Sequence, residues 1–362
     1  MLHFNFKSGK ITENILTYFY TSIAKFWRYT LEKLTIKDIA LMVNVSTATI
    51  SNYLNGNYSK MSKKTRQKIE ETIRDNNYIP SVTAHDLATS DSKTIGVSIA
   101  DITNPFTSSV LSGIYNACGK LGYTVIFTNA NSDLLQEVES INKLKHQGVS
   151  GLIVEPVDAH NPIFKTLGNE NAVMIDREAQ DIKIDTLVTD NFESVKKMVM
   201  MMLDKGYEEI YFITWPMDRV SVRSIRYQGF LEATGYTNND HCIEISEHNA
   251  ETDVLKEKLS EIMSESKNKR IGFFSMNGKV LISFIREMGL IGKHYPIDFG
   301  VASYEDLEWM GIMWPGISCI RQNSFEIGRK SVEILISKLN LEKNSGARRI
   351  VIPTEQVVRD SF

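Results

Sequence analysis

Beyond Lys93, short apolar runs alternate with amphipathic stretches of helical period, and this alternation limits the possible fold more than any other feature of the chain. Ile95–Ile99, Thr124–Phe127, Gly151–Val154, Val173–Ile175 and Leu187–Val188 read as strands, with helices expected over 107–121, 133–146 and 161–168. The pattern restarts with helix 193–204, strand 209–214, helix 223–234, strand 270–275, helix 278–288 and strand 298–302. Such alternation implies an α/β fold of parallel sheets covered by helices. Residues 94–362 are too many for one compact sheet, so two doubly wound lobes with a cleft between them are expected.

In doubly wound sheets, ligands sit beyond the carboxyl ends of the strands. The polar residues at those ends are Asp101 and Asn104, Glu155, Asp176 and Arg177, Asn277, and Glu305 after Tyr304. Any one of them alone reads as a loop cap or surface residue. Their recurrence at successive strand ends reads as a site. Arg219, Arg223 and Arg226 fall within eight residues at a helix start, just after the strand that ends at Thr214. Guanidinium forks suit carboxylate or phosphate, so an anionic small ligand is expected, with Arg219 better suited to a surface ion pair. Trp309 and Trp314 could face a ligand, although such residues more often belong to a core or an interface.

Catalytic signatures are missing from the sequence. No GxGxxG follows the first strand, and there is no GxxxxGK[ST], HExxH or GxSxG. Gly278-Lys279 and Gly292-Lys293 lack the remainder of a phosphate loop. Seven histidines show no ligand-like i, i+4 spacing, and Cys118, Cys242 and Cys319 lie far apart, so neither a metal nor a cofactor is expected. The cysteine usage fits a reducing cytoplasm. With 42% hydrophobic and 23% charged residues, the chain is not collagen-like, disordered or a disulfide scaffold.

The net charge of -3 is a sum over unlike parts. Residues 1–93 carry 13 Lys/Arg against 8 Asp/Glu, and the rest carries 28 against 36. A basic front on an acidic body points to a polyanion at one end. Within that front, Ile36, Ile39, Ala40 and Val43 form one helical stripe, Asn44-Val45 turns the chain, and Ser46 caps a second helix from Thr47 to Leu54. Two short helices with a tight turn make a helix-turn-helix. Thr47, Ala48, Thr49, Ser51 and Asn52 face outward, small enough to approach phosphates and base edges. Ser62 caps a third helix whose start is crowded by Lys60, Lys63, Lys64, Arg66 and Lys68. Taken alone this is a solvated face, but behind a helix-turn-helix it reads as phosphate contact. Ser81 to Ala88 is a short helical pattern that orders only against a partner.

Residues 1–33 differ from the rest, being aromatic-rich with five basic and two acidic residues. The longest uncharged stretch, Asn14 to Ala24, is 11 residues, too short for a membrane span. A secretory signal pattern is not clear either. Two readings stay open: an amphipathic arm, or sequence upstream of a natural start at Leu31 or Leu34.

Thr35-Ile-Lys-Asp-Ile-Ala40, Val45-Ser-Thr-Ala-Thr-Ile-Ser51, Leu54-Asn-Gly56, Lys64-Thr-Arg66 and Asn77-Tyr-Ile-Pro80 resemble the LacI/GalR family of bacterial transcription regulators. Ile95-Gly-Val97, Asn104-Pro-Phe106, Ile175-Asp-Arg177, Asp190-Asn191, Arg226-Tyr-Gln-Gly-Phe230, Gln322 and Gly328 extend the resemblance over residues 34–362. It implies a cytoplasmic homodimer that reads a near-palindromic double-stranded operator, with a periplasmic-binding-protein-like core for a small sugar effector. Base reading then falls on Thr47, Ala48 and Asn52, the last being more often arginine in the family. The family's minor-groove hinge helix falls on Ser81 to Ala88, with Leu87 as wedge, while Ser81, His85 and Asp86 depart from the usual residues. The DNA-facing set is Thr35, Ser46, Thr47, Ala48, Thr49, Ser51, Asn52, Asn55, Lys63, Ala84 and Leu87.

The effector set is Asp101, Asn104, Phe106, Asp176, Arg177, Arg223, Arg226, Asn277 and Glu305. Gly278 replaces the aspartate usual after Asn277, and Glu305 replaces another aspartate. Asp306-Leu-Glu-Trp309 and Pro315-Gly-Ile-Ser318 are similar to the family's branch of 2-keto-3-deoxygluconate regulators, which implies a sugar acid, in line with the arginines. The expected domains are an arm (1–33), a helix-turn-helix domain (34–80), a hinge and linker (81–93), an N-terminal lobe (94–191 plus about 323–349) and a C-terminal lobe (192–322 plus about 350–362). No apolar heptads follow Val358, so a dimer and not a tetramer is expected. A catabolite-control type regulator that answers a phosphoprotein, or a sugar-binding protein without DNA function, are the alternatives.

Overall fold

The computed structural model describes residues 34–54, 56–78, 92–180, 182–218, 220–246, 252–266, 268–340 and 346–362. The expectations for the arm 1–33, Asn55, the hinge 81–88 with Ala84 and Leu87, and Arg219 lie outside the described residues. The chain divides into two compact units at position 91/92.

The first unit carries α1 (Ile36–Val43), α2 (Thr47–Leu54) and α3 (Lys63–Asp75). Thr35 and Asp38 close a capping box on α1, each accepting from the other's backbone N–H, at 3.4 and 2.7 Å. Asn44 ends that helix in the left-handed region at φ 60°, which a short amide side chain tolerates. Ser46 Oγ accepts from the Thr49 N–H at 3.2 Å and Ser62 Oγ from that of Thr65 at 3.1 Å, so the expected caps form. Ile39, Ala40, Val43, Ile50, Ile69 and Tyr78 are buried together, with Leu54 packed at their edge.

The second unit begins with β1 (Thr94–Ile99), α4 (Pro105–Lys120), β2 (Thr124–Asn129), α5 (Leu134–His146), β3 (Gly151–Val154), β4 (Ala172–Ile175) and β5 (Asp185–Thr189). It continues through α6 (Asn191–Asp204), β6 (Glu209–Thr214), α7 (Ser221–Thr234), β7 (Cys242–Glu244), α8 (Thr252–Glu265), β8 (Ile271–Ser275), α9 (Gly278–Leu290) and β9 (Gly300–Tyr304). It ends with α10 (Glu308–Ile312), β10 (Ser318–Arg321), α11 (Ser324–Leu339), β11 (Arg349–Ile352) and β12 (Glu355–Val357). Two six-stranded sheets result, ordered β11-β5-β4-β3-β1-β2 and β12-β10-β9-β8-β6-β7. Among the described strands only β12 runs antiparallel to its neighbour. Both lobes thus repeat one doubly wound order, and equivalent strands end at the same cleft.

Two expectations need correction. The helix expected over 161–168 is a 3-10 turn, Pro162–Thr166, capped by Asn161; its backbone bonds run over three residues, from the Phe164 N–H to the Asn161 carbonyl and from the Leu167 N–H to the Phe164 carbonyl. The division near 349/350 falls inside a strand, because Arg349–Ile352 pairs in parallel with β5 in the first sheet. The crossing to the second sheet comes after Ile352, since only Glu355–Val357 pairs with β10. Ile350-Val351-Ile352 is an apolar run, but nothing in the run itself tells which of the two sheets it joins; pairing with β5 decides that.

The first lobe has an aliphatic core around Val97, Val110, Ile153 and Leu187. The second is aromatic, with Phe212, Phe230, Phe273, Phe274, Phe284 and Tyr304 fully buried. Gly113 and Gly328 let α4 and α11 meet backbone to backbone, since a Cβ at either would lie 2.1 Å from a carbonyl oxygen of the other helix. That contact carries the returning chain back onto the first lobe. No helix among the described residues is long and apolar enough to cross a membrane.

Candidate functional site

In the second unit the strand ends converge. Asp101, Asn104, Phe106, Asp176, Arg177, Arg223, Arg226, Asn277 and Glu305 line one cavity between the lobes, together with Ser132, Trp215, Val220, Val222, Met276, Lys279 and Gln322. Two of the expected residues are also caps: Asn104 Oδ1 accepts from the Phe106 N–H at 3.1 Å and Asn277 Oδ1 from that of Val280 at 2.9 Å. Capping and cavity lining therefore coexist in the same side chains.

Lys279, set aside in the sequence as part of an incomplete phosphate loop, reaches from the start of α9 across the cleft. Its Nζ donates to Asp101 Oδ2 at 2.7 Å and to Thr103 Oγ1 at 2.6 Å. Burial pushes the Asp101 carboxyl up, but hydrogen bonds from Lys279 and Thr103 outweigh this and hold it below the ordinary value. A lysine chosen for reach across a cleft carries no periodic signal, which is why it escaped the sequence reading.

Beneath the cavity Glu155 is fully buried. It accepts from Thr107 Oγ1 at 3.1 Å and from the Ala100 N–H at 3.4 Å, and Arg177 lies 3.9 Å away. Burial pushes its pKa to about 7 even with that guanidinium beside it. Arg177 donates to the Pro156 carbonyl at 2.9 Å, and its buried Nε stands 3.5 Å from Asp176 Oδ2 as an ion pair, with no hydrogen bond among the described residues. Arg226 is held on three sides: it donates to Asn191 Oδ1 at 2.7 Å and to the Met276 carbonyl at 3.0 Å, and lies 3.5 Å over the Tyr304 ring. Arg223 donates to the Pro216 carbonyl and stands 5.3 Å over the Trp215 ring.

The cavity's tryptophan is Trp215, which the sequence reading missed. Trp309 packs half-buried against the second lobe's core, and Trp314 is 90% exposed, so neither faces this cavity. Asp176 and Glu305 follow equivalent strands, β4 and β9, and both sit in the left-handed region at φ 63° and 78°. Non-glycine residues there cost of order 1–3 kcal/mol each, a strain the surrounding packing must hold. Burial raises the Glu305 carboxyl, with Arg226 acting the other way.

The two departures noted at Gly278 and Glu305 form one arrangement. Glu305 Oε2 accepts from the Gly278 N–H at 3.0 Å, and a Cβ at Gly278 would lie 2.5 Å from Leu307 Cδ1 and 3.1 Å from that same oxygen. The longer carboxylate occupies space that a side chain at 278 would need.

On the first unit, Thr35, Ser46, Thr47, Ala48 and Lys63 are exposed, and Thr49, Ser51 and Asn52 are half-buried along the outer side of α2. The basic run is not a uniform phosphate clamp. Arg66 lies 3.7 Å over the Tyr58 ring, and Lys68 Nζ donates to the Val43 carbonyl at 3.0 Å, where a cation suits the C-terminus of α1. Lys60, Lys63 and Lys64 remain exposed.

A helix-turn-helix unit on the same chain as a two-lobed α/β body with a polar cleft defines the class of ligand-responsive DNA-binding regulators. Residues 35–81 match the family described as bacterial regulatory proteins, lacI family. Residues 92–259 match the periplasmic binding proteins and sugar binding domain of LacI family, and residues 199–362 a periplasmic binding protein-like domain. The chain is 29% identical to the HTH-type transcriptional regulator KdgR of Bacillus subtilis, over 91% of this chain and 97% of that protein. It is 27% identical to the HTH-type transcriptional regulator PtxS of Pseudomonas putida, over 92% and 97%. The lac repressor dimer bound to operator and the anti-inducer ONPF shares the fold with a TM-score of 0.78 at 23% identity, covering 91% of this chain and 99% of that one. The chain belongs to the LacI family: it is a DNA-binding transcription regulator with a ligand-binding core, and not an enzyme.

Proposed function

We propose that the protein is a cytoplasmic, homodimeric repressor whose affinity for operator DNA is set by an anionic sugar acid bound between the lobes. The observation that carries this is the convergence of Arg177, Arg223, Arg226 and Lys279 on one cavity beside the face of Trp215. Guanidinium and ammonium groups suit a carboxylate, an indole face suits the apolar side of a sugar ring, and Asp101, Asp176 and Glu305 suit its hydroxyls. With the lobes this close the cavity measures about 40 Å³, so the ligand enters as they part across the Lys279–Asp101 pair. Parting and closing is the two-state element through which ligand reaches DNA, a coupling typically worth about 1–3 kcal/mol. The set Thr35, Ser46, Thr47, Ala48, Thr49, Ser51, Asn52, Asn55 and Lys63 meets the major groove side of the operator, and Ala84 and Leu87 its minor groove.

The test is retardation of the DNA upstream of the protein's own gene, titrated with neutral sugars, sugar acids and sugar phosphates at fixed salt, because phosphate contacts make affinity steeply salt-dependent. A sugar acid is expected to change the retarded fraction. A response to neutral sugars alone overturns the anionic ligand, and a response only to a phosphoprotein replaces it with protein control. Absence of any retarded complex overturns operator binding itself.

A further inference from the structure

Beside the main cavity lies a second chamber of about 250 Å³, close to the lower end of ligand-pocket sizes at roughly 300 Å³. The two share Phe106, Glu305 and Gln322 as a common wall. The main cavity has room for little more than a few waters while the lobes are together, whereas this chamber is already open.

Its chemistry differs from that of the main cavity. Two of its three charged wall groups, Asp306 and Arg321, are paired: Arg321 donates two N–H groups to Asp306 Oδ2 at 2.8 and 2.6 Å and a third to Glu355, behind the wall, at 3.0 Å. Arg359 donates to the other Asp306 oxygen at 2.8 Å. A ligand with its own net charge finds no free counter-ion in that pair. Pro105, Phe106 and Leu307 supply apolar surface, and Ser109 and Ser324 supply hydroxyls. The shared wall carries the unsatisfied groups. Gln322 Oε1 is buried without a hydrogen-bond partner among the described residues. Glu305 uses Oε2 for the Gly278 N–H, and its Oε1 makes no hydrogen bond within the described residues, Arg226 and Lys279 acting on the carboxylate through their charge. Acceptors left without donors call for hydroxyl groups at that position.

We propose that this chamber is a second ligand subsite, taking a neutral, hydroxyl-bearing sugar unit attached to the acid held in the main cavity. The effector is then a glycosylated sugar acid, an inference that rests on the main cavity being the anion site. The acid meets the arginines and Lys279, and the neutral unit lies over Phe106 with its hydroxyls on Gln322 and Glu305.

Calorimetric titration of the full chain compares gluconate with cellobionate and lactobionate, which are gluconate carrying a glucose or a galactose unit. At least one glycosylated acid should bind about tenfold tighter than gluconate, equivalent to about 1.4 kcal/mol. Ser109→Phe and, independently, Ser324→Phe fill the chamber and should remove that advantage while gluconate affinity stays unchanged; thermal melting establishes that each variant is folded. Glycosylated acids that bind no tighter than gluconate, or an advantage that survives in both folded variants, overturn the subsite and leave the anion site standing. If none of the three acids binds, the anion site falls and the subsite falls with it.

Discussion

Glu305 closes over the backbone of Gly278: its Oε2 accepts the Gly278 N–H at 3.0 Å, at a point where a Cβ on residue 278 would crowd the same oxygen. A side chain at 278 therefore requires Leu307 to swing aside and the Glu305 carboxylate to give way by a few tenths of an ångström. Gly278→Asp should weaken ligand binding by forcing Glu305 and Leu307 aside and by placing two carboxylates together. Combining it with Glu305→Asp should recover part of the loss, a coupling of about 1–2 kcal/mol in a double-mutant cycle read by calorimetry. Strict additivity would show that the two positions do not act together.

Arg226 is as much a structural residue as a ligand-facing one. Arg226→Ala leaves Asn191 Oδ1 and the Met276 carbonyl without its N–H groups and uncovers the Tyr304 ring. The expected result is a loss of about 3 kcal/mol in core stability, read as a lower Tm, together with loss of the ligand response. Operator retardation without ligand should persist below the new Tm. Arg226→Lys should restore the charge but not the fork, and so recover little of either.

The pH dependence of the core should follow its buried glutamates. Burial pushes both Glu137 and Glu155 from 4.5 to about 7, more than their hydrogen-bond donors and Arg177 pull them down. Each holds its proton in the folded chain where the unfolded chain has released it. Their contribution is complete below about 4.5 and is lost as pH rises through about 7, so their share of the stability falls across that window, opposed by His241, which burial holds below its ordinary 6.5. Asp185 and Asp306, held low, lose their contributions only as pH falls below the ordinary 3.8, outside the window. Glu137→Gln removes one titrating group and should flatten the decline of Tm by the equivalent of up to about 3 kcal/mol. An unchanged slope would show that Glu137 ionises normally.

Lys63 and Lys68 should separate cleanly in DNA-binding assays. Lys63 is exposed at the start of α3, and its replacement by alanine should weaken binding to all sequences alike and reduce the salt slope by about one. Lys68 serves the Val43 carbonyl at 3.0 Å, so Lys68→Ala should lower the stability of the first unit while leaving the salt slope alone. The converse pattern would reassign the two lysines.

Much of this protein was legible residue by residue. The caps at Thr35, Ser46 and Ser62, the stripe Ile36, Ile39, Ala40 and Val43, and the apolar strands from Ile95 onward act within a turn or a strand of themselves, where period and capping chemistry suffice. The recurrence of polar residues at strand ends pointed to the cavity because a doubly wound sheet directs those ends toward one cleft. Which sheet the edge strands β11 and β12 join, and the 3-10 form of the segment at Pro162, escaped, since these come from neighbours and backbone bonding and not from a segment's own pattern.

The sequence by itself determined the α/β class, the helix-turn-helix and the order of elements, because these follow from local period, caps and turns. Tertiary structure alone decided that Lys279 meets Asp101 across 178 residues of chain, that Trp215 and not Trp314 faces the cavity, and that Glu305 and Gly278 share one space. Such contacts depend on which surfaces the two lobes turn toward each other, and no local signal along the chain encodes that.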